Sequence, residues 1–385
     1  MNTELQQDLA ALTDSVKRFT LERIAPQVAA WDEAGEFPRT LYREAAELGL
    51  LGLGYPEALG GTPAPLALRN AVSVTMARYG GSGGVLASLF SHHIALPPVL
   101  RHASLALQQE VVPPVLRGEQ IAALAITEPG GGSDVAGLRS TARREGDDWV
   151  ISGEKVFITS GMRADWLTVA VRTGESRGAG AISMLLVPGD AVGLSRSALK
   201  KMGWWCSDTA LLRFDQVRVP GRYLLGEEGG GFKMIMGNFN GERLSLAAMA
   251  LGFAQACYDE AVAWARQRQT FGAALIERQV IRHKLVDMQM RIASTQAWLA
   301  AVTARADAGE EQSGNADWVA QVCMLKNHAT QTMQFCADQA VQILGGMGFM
   351  RGTTSERIYR EVKVMMIGGG AEEIMKDLAA RQLGL

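Results

Sequence analysis

Residues 121–134 read Ile121-Ala-Ala-Leu-Ala-Ile126-Thr-Glu-Pro-Gly-Gly-Gly-Ser133-Asp, and this stretch divides the chain into two textures. A short apolar run ends in a loop whose three consecutive glycines permit positive φ and close backbone approach. On the N-terminal side, Leu5, Leu9, Leu12 and Val16 recur at spacings of three and four, and Phe19 continues the run. That period predicts helices over residues 1–120. Gly60, Gly61 and Pro63 mark a break, and the pairs Pro97-Pro98 and Pro113-Pro114 read as separators between helical segments. On the other side the period shortens. Residues 149–152, 167–171, 181–187 and 211–219 read as strands. Short strands joined by turns, with no long helices between them, predict a mostly antiparallel β domain over 121–230.

Beyond Gly231 the chain returns to long helices rich in alanine, leucine and methionine, at 232–269, 278–309 and 315–343, with a last one from Glu372 to about Arg381. Segments of this length pack along one another, so residues 231–385 are expected to form a four-helix bundle. The expected class is therefore α+β: an N-terminal helical domain, a middle antiparallel β domain and a C-terminal four-helix bundle.

The 385 residues are 48% hydrophobic and 20% charged, with a formal net charge of -2, the balance of a soluble globular protein rather than a disordered one. Nothing in that balance points to nucleic acid as a partner. No stretch of about 18 apolar residues free of charge is present, so no membrane span is expected. Cys206, Cys257, Cys323 and Cys336 form no CxxC pair, and the opening Met1-Asn2-Thr3-Glu4-Leu5 has no leader pattern, so a reducing, cytoplasmic location is expected. The histidines, including the adjacent His92 and His93, make no HExxH or Cys/His cluster, so no transition-metal site is expected. His92 and His93 could line a ligand pocket or end a helix face, and the structural role is favoured.

Six segments carry the chemistry. They are Ala125-Ile-Thr-Glu-Pro-Gly-Gly-Gly-Ser-Asp134, Lys155-Val-Phe-Ile-Thr-Ser-Gly161, Lys201-Met-Gly-Trp-Trp-Cys-Ser-Asp-Thr209, Gly241-Glu-Arg243, Gln267-Arg-Gln-Thr-Phe-Gly272 and Gln342-Ile-Leu-Gly-Gly-Met-Gly-Phe349. The glycine loop is neither GxGxxG nor a phosphate-binding GxxxxGK[ST], and no βαβ unit surrounds it. Phe157 and Thr159 share one face of a strand, which would present an aromatic ring beside a hydroxyl. Taken in order over almost the whole chain, the six segments resemble the acyl-CoA dehydrogenase family.

That resemblance implies bound FAD and an acyl-CoA substrate. Ile126, Thr127, Phe157 and Thr159 would lie against the flavin ring system, and Ser133 would contact flavin phosphate or the pantetheine arm. Family members often carry Trp where this chain has Phe157. Arg268, Thr270 and Phe271 would reach the flavin pyrophosphate of a neighbouring subunit. Gln342 and Gly346 would approach the adenine end across the same boundary, and Glu373 falls near a flavin-contact position. The family usually assembles as a dimer of dimers and passes its electrons to an electron-transfer flavoprotein.

The family reaction removes an α proton and a β hydride from an acyl thioester, giving a trans-2-enoyl-CoA. Many members carry the base in a C-terminal Tyr-Glu-Gly-Thr segment; here that place reads Met366-Ile-Gly-Gly-Gly-Ala-Glu-Glu-Ile-Met375, and Gly369 occupies the glutamate position. Isovaleryl-type and long-chain-type members instead place the glutamate on a central helix before an arginine, and the matching pair is Glu242-Arg243. By that resemblance Glu242 takes the α proton. The backbone N–H of Gly369, with a flavin hydroxyl, would stabilise the thioester oxygen. Arg243 would orient the chain around the site. Asn240 would bind pantetheine amides or cap a helix. Glu372 and Glu373 read as the acidic first turn of the last helix. A side chain missing at 369 would widen the pocket, which suits a branched or medium-to-long acyl group. The competing readings are a flavin- or acyl-CoA-binding helical scaffold without turnover and an oxygen-using oxidase of the same fold.

Overall fold

The computed structural model describes residues 3–174 and 178–385. The N-terminal part is helical: α1 (Thr3–Phe19), α2 (Val28–Ala34), α3 (Thr40–Glu47), α4 (Leu66–Gly80), α5 (Gly83–Leu89), α6 (His92–Ala95), α7 (Pro97–His102) and α8 (Leu105–Leu116). The apolar spacing of α1 does what its period predicts, burying Val16 and Phe19 with Leu12 packed beside them. Ser82 and Ser104 cap α5 and α8 by accepting the N–H groups of Val85 and Leu107, each at 3.3 Å.

The proline pairs behave differently from the expected separators. Pro97 and Pro98 open α7, where a missing N–H costs nothing. Pro113 and Pro114 lie inside α8, not between helices. They sit near its end, and their carbonyls still accept from Arg117 and Glu119 at 3.0 Å each, so the last turn closes.

The middle part is one eight-stranded sheet: β1 (Ala122–Ala125), β2 (Thr141–Glu145), β3 (Asp148–Thr159), β4 (Trp166–Arg172), β5 (Ile182–Pro188), β6 (Leu194–Ala198), β7 (Thr209–Pro220) and β8 (Leu224–Leu225). The order is β6-β7-β3-β2-β4-β5-β8, with β1 also paired to β4. Most pairs are antiparallel as expected, but β1 and β2 both run parallel to β4, so the sheet is mixed. Residues of β4 and β5 are buried almost throughout, because helices cover this region of the sheet.

The C-terminal part is built on α9 (Gly231–Gln267), followed by a small hairpin of β9 (Gln269–Thr270) and β10 (Ala273–Ala274). Then come α10 (Gln279–Asp307), α11 (Glu310–Ser313), α12 (Ala316–Leu344), α13 (Gly346–Phe349), α14 (Thr354–Ile367) and α15 (Glu372–Leu383). The three long helices and the last one stand where the period placed them, while α14 is an addition. Its start is marked by Thr353, whose hydroxyl accepts the Glu356 N–H at 3.3 Å. Helix α9 also packs on α4 so closely that a Cβ on Gly252 would lie 2.4 Å from the Val74 carbonyl.

One buried carboxylate ties the three parts together. Asp32 of α2 accepts the Cys206 N–H at 3.2 Å and the Arg357 Nε at 3.1 Å. The Arg357 side chain also donates to the Gly81 carbonyl at 3.3 Å. Charges this deep persist only when paired and hydrogen-bonded.

Candidate active site

The glycine loop after β1 is anchored by an ion pair that sequence reasoning did not single out. Lys155 of β3 is fully buried, and its ammonium donates to the Ile126 carbonyl at 2.9 Å and to Glu128 at 2.8 Å. Glu128 also accepts the N–H groups of Arg139 at 2.6 Å and Ser140 at 2.8 Å. Burial lowers Lys155 to about 8 against the pull of Glu128. Burial pushes the Glu128 carboxyl up, but the Lys155 charge and these hydrogen bonds outweigh it and hold the group below its ordinary value. The signal was present in the string: Lys155 opens a quoted segment and is followed by Val156, Phe157 and Ile158.

This anchor brings the end of β3 beside the loop, where Val156 donates to the Thr127 carbonyl at 2.8 Å. Ile126 is buried, Thr127 and Thr159 are half-buried, and Ser133 is exposed. Phe157 is exposed and its neighbour Ile158 is buried, on a segment that departs from regular strand geometry. The register with β7 shifts between Lys155 and Ile158, and Phe157 takes φ 62°. A bulky side chain at positive φ is strained, and such strain is retained where a site needs it. The ring is held 68% exposed.

A second group gathers on α9. Arg243 is buried; its Nε donates to the Gly369 carbonyl at 3.0 Å and its Nη1 to the Asn240 side-chain oxygen at 3.0 Å. Asn240 therefore does not cap a helix: it lies inside α9, where the side chain serves Arg243. Glu242 is half-buried, and among the described residues no hydrogen bond or ion pair holds its carboxylate. Burial raises it to about 7, with Arg243 and Lys326 pulling the other way. Gly369 has φ 67°, and a Cβ placed on it would lie 2.8 Å from Leu246 Cδ1 and 3.7 Å from Glu242 Oε1. Glu242 thus approaches Gly369, and Leu246 fills the space a side chain there would need.

The helix α6 adjoins this stretch. Asn238, one turn before Glu242, donates to the Ile94 carbonyl at 2.9 Å. His92 has its Nε2 2.9 Å from the Leu51 carbonyl, and the His93 ring stacks on Phe90 with centroids 5.1 Å apart. Burial lowers His92 to about 4 and lowers His93 well below the ordinary range, so both are neutral packing groups. Glu372 pairs with Lys376 at 2.8 Å in the first turn of α15, as its acidic-start reading predicts, and Glu373 is exposed beside it.

The remaining predicted residues lie apart. Arg268 is exposed, Thr270 is half-buried, and Phe271 is 100% exposed at φ 50°. Gln342 and Gly346 are exposed, beside Phe349 at 86%. Among the described residues no hydrogen bond or ion pair joins either segment to the loop after β1.

Descriptions of acyl-CoA dehydrogenase N-terminal, middle and C-terminal domains match residues 6–119, 123–217 and 229–384. The chain belongs to the acyl-CoA dehydrogenase family. A long-chain specific acyl-CoA dehydrogenase of Rattus norvegicus is 35% identical over 96% of this chain and 85% of its own. A short-chain specific one from the same organism is 34% identical over 99% and 91%. Near-equal identity to both leaves acyl length to the pocket residues. Among solved structures, one described as a probable acyl CoA dehydrogenase from Mycobacterium abscessus superposes with a TM-score of 0.94 at 46% identity, over 97% of this chain and 98% of that one.

The acyl-CoA dehydrogenase family implies FAD, and the residues present fit it. An exposed aromatic ring at positive φ offers a flat apolar face, next to Val156, which donates to the Thr127 carbonyl. A Cβ on Gly130 or Gly131 would meet nothing within 4 Å, so the loop leaves room for backbone approach.

Proposed function

We propose that this chain catalyses FAD-dependent α,β-dehydrogenation of a saturated acyl-CoA to a trans-2-enoyl-CoA, with Glu242 as the base. The observation that carries it is an unpaired, partly desolvated carboxylate beside Gly369. A general base works best with a pKa near the operating pH, and burial moves Glu242 there. Glu242 accepts the α proton, and the electron pair left on Cα becomes the new Cα=Cβ bond as the β hydrogen departs with its own pair. Bound FAD would supply the acceptor for that hydride. The Gly369 N–H donates to the thioester oxygen while negative charge develops there. Arg243 fixes the Gly369–Gly370 peptide by holding its carbonyl, and Asn240 would contact the pantetheine arm.

Ile126, Thr127, Phe157 and Thr159 would hold the flavin ring, and Ser133 its phosphate or the substrate arm. Arg268, Thr270, Phe271, Gln342, Gly346 and Glu373 would complete the cofactor site, the first five from a neighbouring chain. The full exposure of Phe271 supports a second chain covering it, and a homotetramer is the proposed assembly. An electron-transfer flavoprotein is the proposed acceptor. Four free, buried cysteines fit a reducing, cytoplasmic setting. Among the described residues no single helix is long and apolar enough to cross a membrane. The base placement supports a branched or medium-to-long acyl group. Extra width at Gly369 does not, because Leu246 stands there.

The test is an anaerobic absorbance titration with short, branched and long saturated acyl-CoAs, repeated with Glu242→Gln. Bleaching by one class, lost in the variant while flavin stays bound, is the expected result. Oxidised flavin across the whole panel would overturn the dehydrogenation, and bleaching by Glu242→Gln would overturn the base.

A further inference from the structure

Lys326 sits midway along α12 with no exposed surface, among the buried residues Cys323, Leu325, Ala329 and Met333. A lysine is rarely buried so completely unless its donors are used. Here they are: Nζ donates to the Met366 carbonyl at 2.9 Å and to the Gly370 carbonyl at 2.8 Å. Those carbonyls bracket the turn between α14 and α15.

The turn needs holding. Gly369 and Gly370 have φ of 67° and 110°, conformations that glycine enters and leaves freely. Arg243 grips the Gly369 carbonyl from α9, and Lys326 grips the residues on either side from α12. The two cations that act on Glu242 are these same two side chains. One pair of groups therefore fixes the turn and sets the charge around the carboxylate.

We propose that Lys326 is a positioning residue for the reaction, gripping the 366–370 turn so that the Gly369 N–H stays aimed at the thioester oxygen and completing the cationic surroundings of Glu242. This rests on the assignment of Glu242 as base and Gly369 as oxyanion donor. Besides Arg243, the titratable groups that act on the pair are Glu372 of α15 and Cys323 of α12, and Glu311 of α11 reaches to 3.6 Å from the point a Cβ on neighbouring Gly241 would occupy. Lys326 itself is lowered to about 8, first by burial and then by Arg243, with Glu242 opposing, so it is charged at neutral pH.

The test compares Lys326→Met and Lys326→Arg with the wild-type holoenzyme. Infrared difference spectra follow the protonated Glu242 carboxyl, assigned by its loss in Glu242→Gln, across a pH series. Loss of the ammonium charge should raise the carboxyl's titration by about one pH unit. The acidic limb of substrate α-proton exchange should move with it, and the exchange rate at its plateau should fall about tenfold or more as the turn loosens. Lys326→Arg, which keeps the charge, should return the titration to the wild-type pH. If Lys326→Met does not fold, Lys326→Gln carries the same comparison with one donor group retained. A folded neutral variant whose carboxyl titrates as wild type and whose exchange rate is unchanged would overturn the proposal. Because the carboxyl titration needs no turnover, it is read separately from any failure of acyl-CoA to bleach the flavin.

Discussion

Glu242 Oε1 stands 3.7 Å from the point that a Cβ on Gly369 would occupy. The two positions lie on different elements, one within a long helix and the other in a turn, yet they converge on one space. A carboxylate can enter that space from either, and here the helix supplies it.

Glu242 is raised to about 7 by burial, so the base form dominates only above that pH. Substrate α-proton abstraction should fall as pH drops through about 7 and level off above it. Glu242→Gln should reduce the rate by about 10²–10⁴-fold with acyl-CoA binding retained. Single-turnover flavin reduction over a pH series, beside an equilibrium binding measurement, checks both.

Gly369→Ala places a Cβ at positive φ and 2.8 Å from Leu246 Cδ1. The backbone alone should cost about 1–2 kcal/mol, with crowding added. Leu246→Ala in the same chain should relieve the crowding but not the backbone cost. Denaturant unfolding of the two single variants and the double variant separates the contributions, and equal stability of Gly369→Ala and wild type would contradict the geometry.

Lys155→Met strands a buried Glu128, and Glu128→Gln strands a buried Lys155. Breaking a buried pair from one side costs about 3–5 kcal/mol, more than removing both partners together. The double variant should therefore be more stable than the sum of the singles predicts. Each single should also weaken flavin retention, since the pair anchors the loop after β1. A double-mutant cycle by chemical unfolding, with flavin content measured alongside, tests this.

Phe157→Ala removes a ring that is 68% exposed, so the apoprotein should unfold at nearly the wild-type temperature. Flavin affinity should fall, because the ring's worth lies in what covers it. The strained φ of 62° should be eased rather than worsened by the smaller residue. Isothermal titration of apoprotein with FAD distinguishes this from ordinary packing, where stability would drop and affinity would not.

The long helices and most strands were legible because their periods are long and uninterrupted. The places where expectation and structure part have local causes. Pro113 and Pro114 looked like a break, but at the end of α8 few bonds remain to be lost. Helix α14 was hidden within a segment whose glycines and charged residues drew attention to its flanks. Glu242, Arg243 and Gly369 could be named from the string, but their convergence depends on how α9 lies against the last turn. Lys155 and Lys326 were less visible because a lone lysine in an apolar run looks like an exception until its partners, 27 to 44 residues distant, are seen.

The bond between Asp32 and Arg357 joins residues 325 apart in the chain. At about 5–20 residues per second, a ribosome delivers Arg357 tens of seconds after Asp32 has emerged. For about the first half of that interval the carboxylate has neither Cys206 nor Arg357, and for the rest it still lacks Arg357. The first helices can form early, but their seating must wait until Arg357 emerges. Truncation anywhere before Arg357 should thus release an unsettled N-terminal part rather than a finished domain.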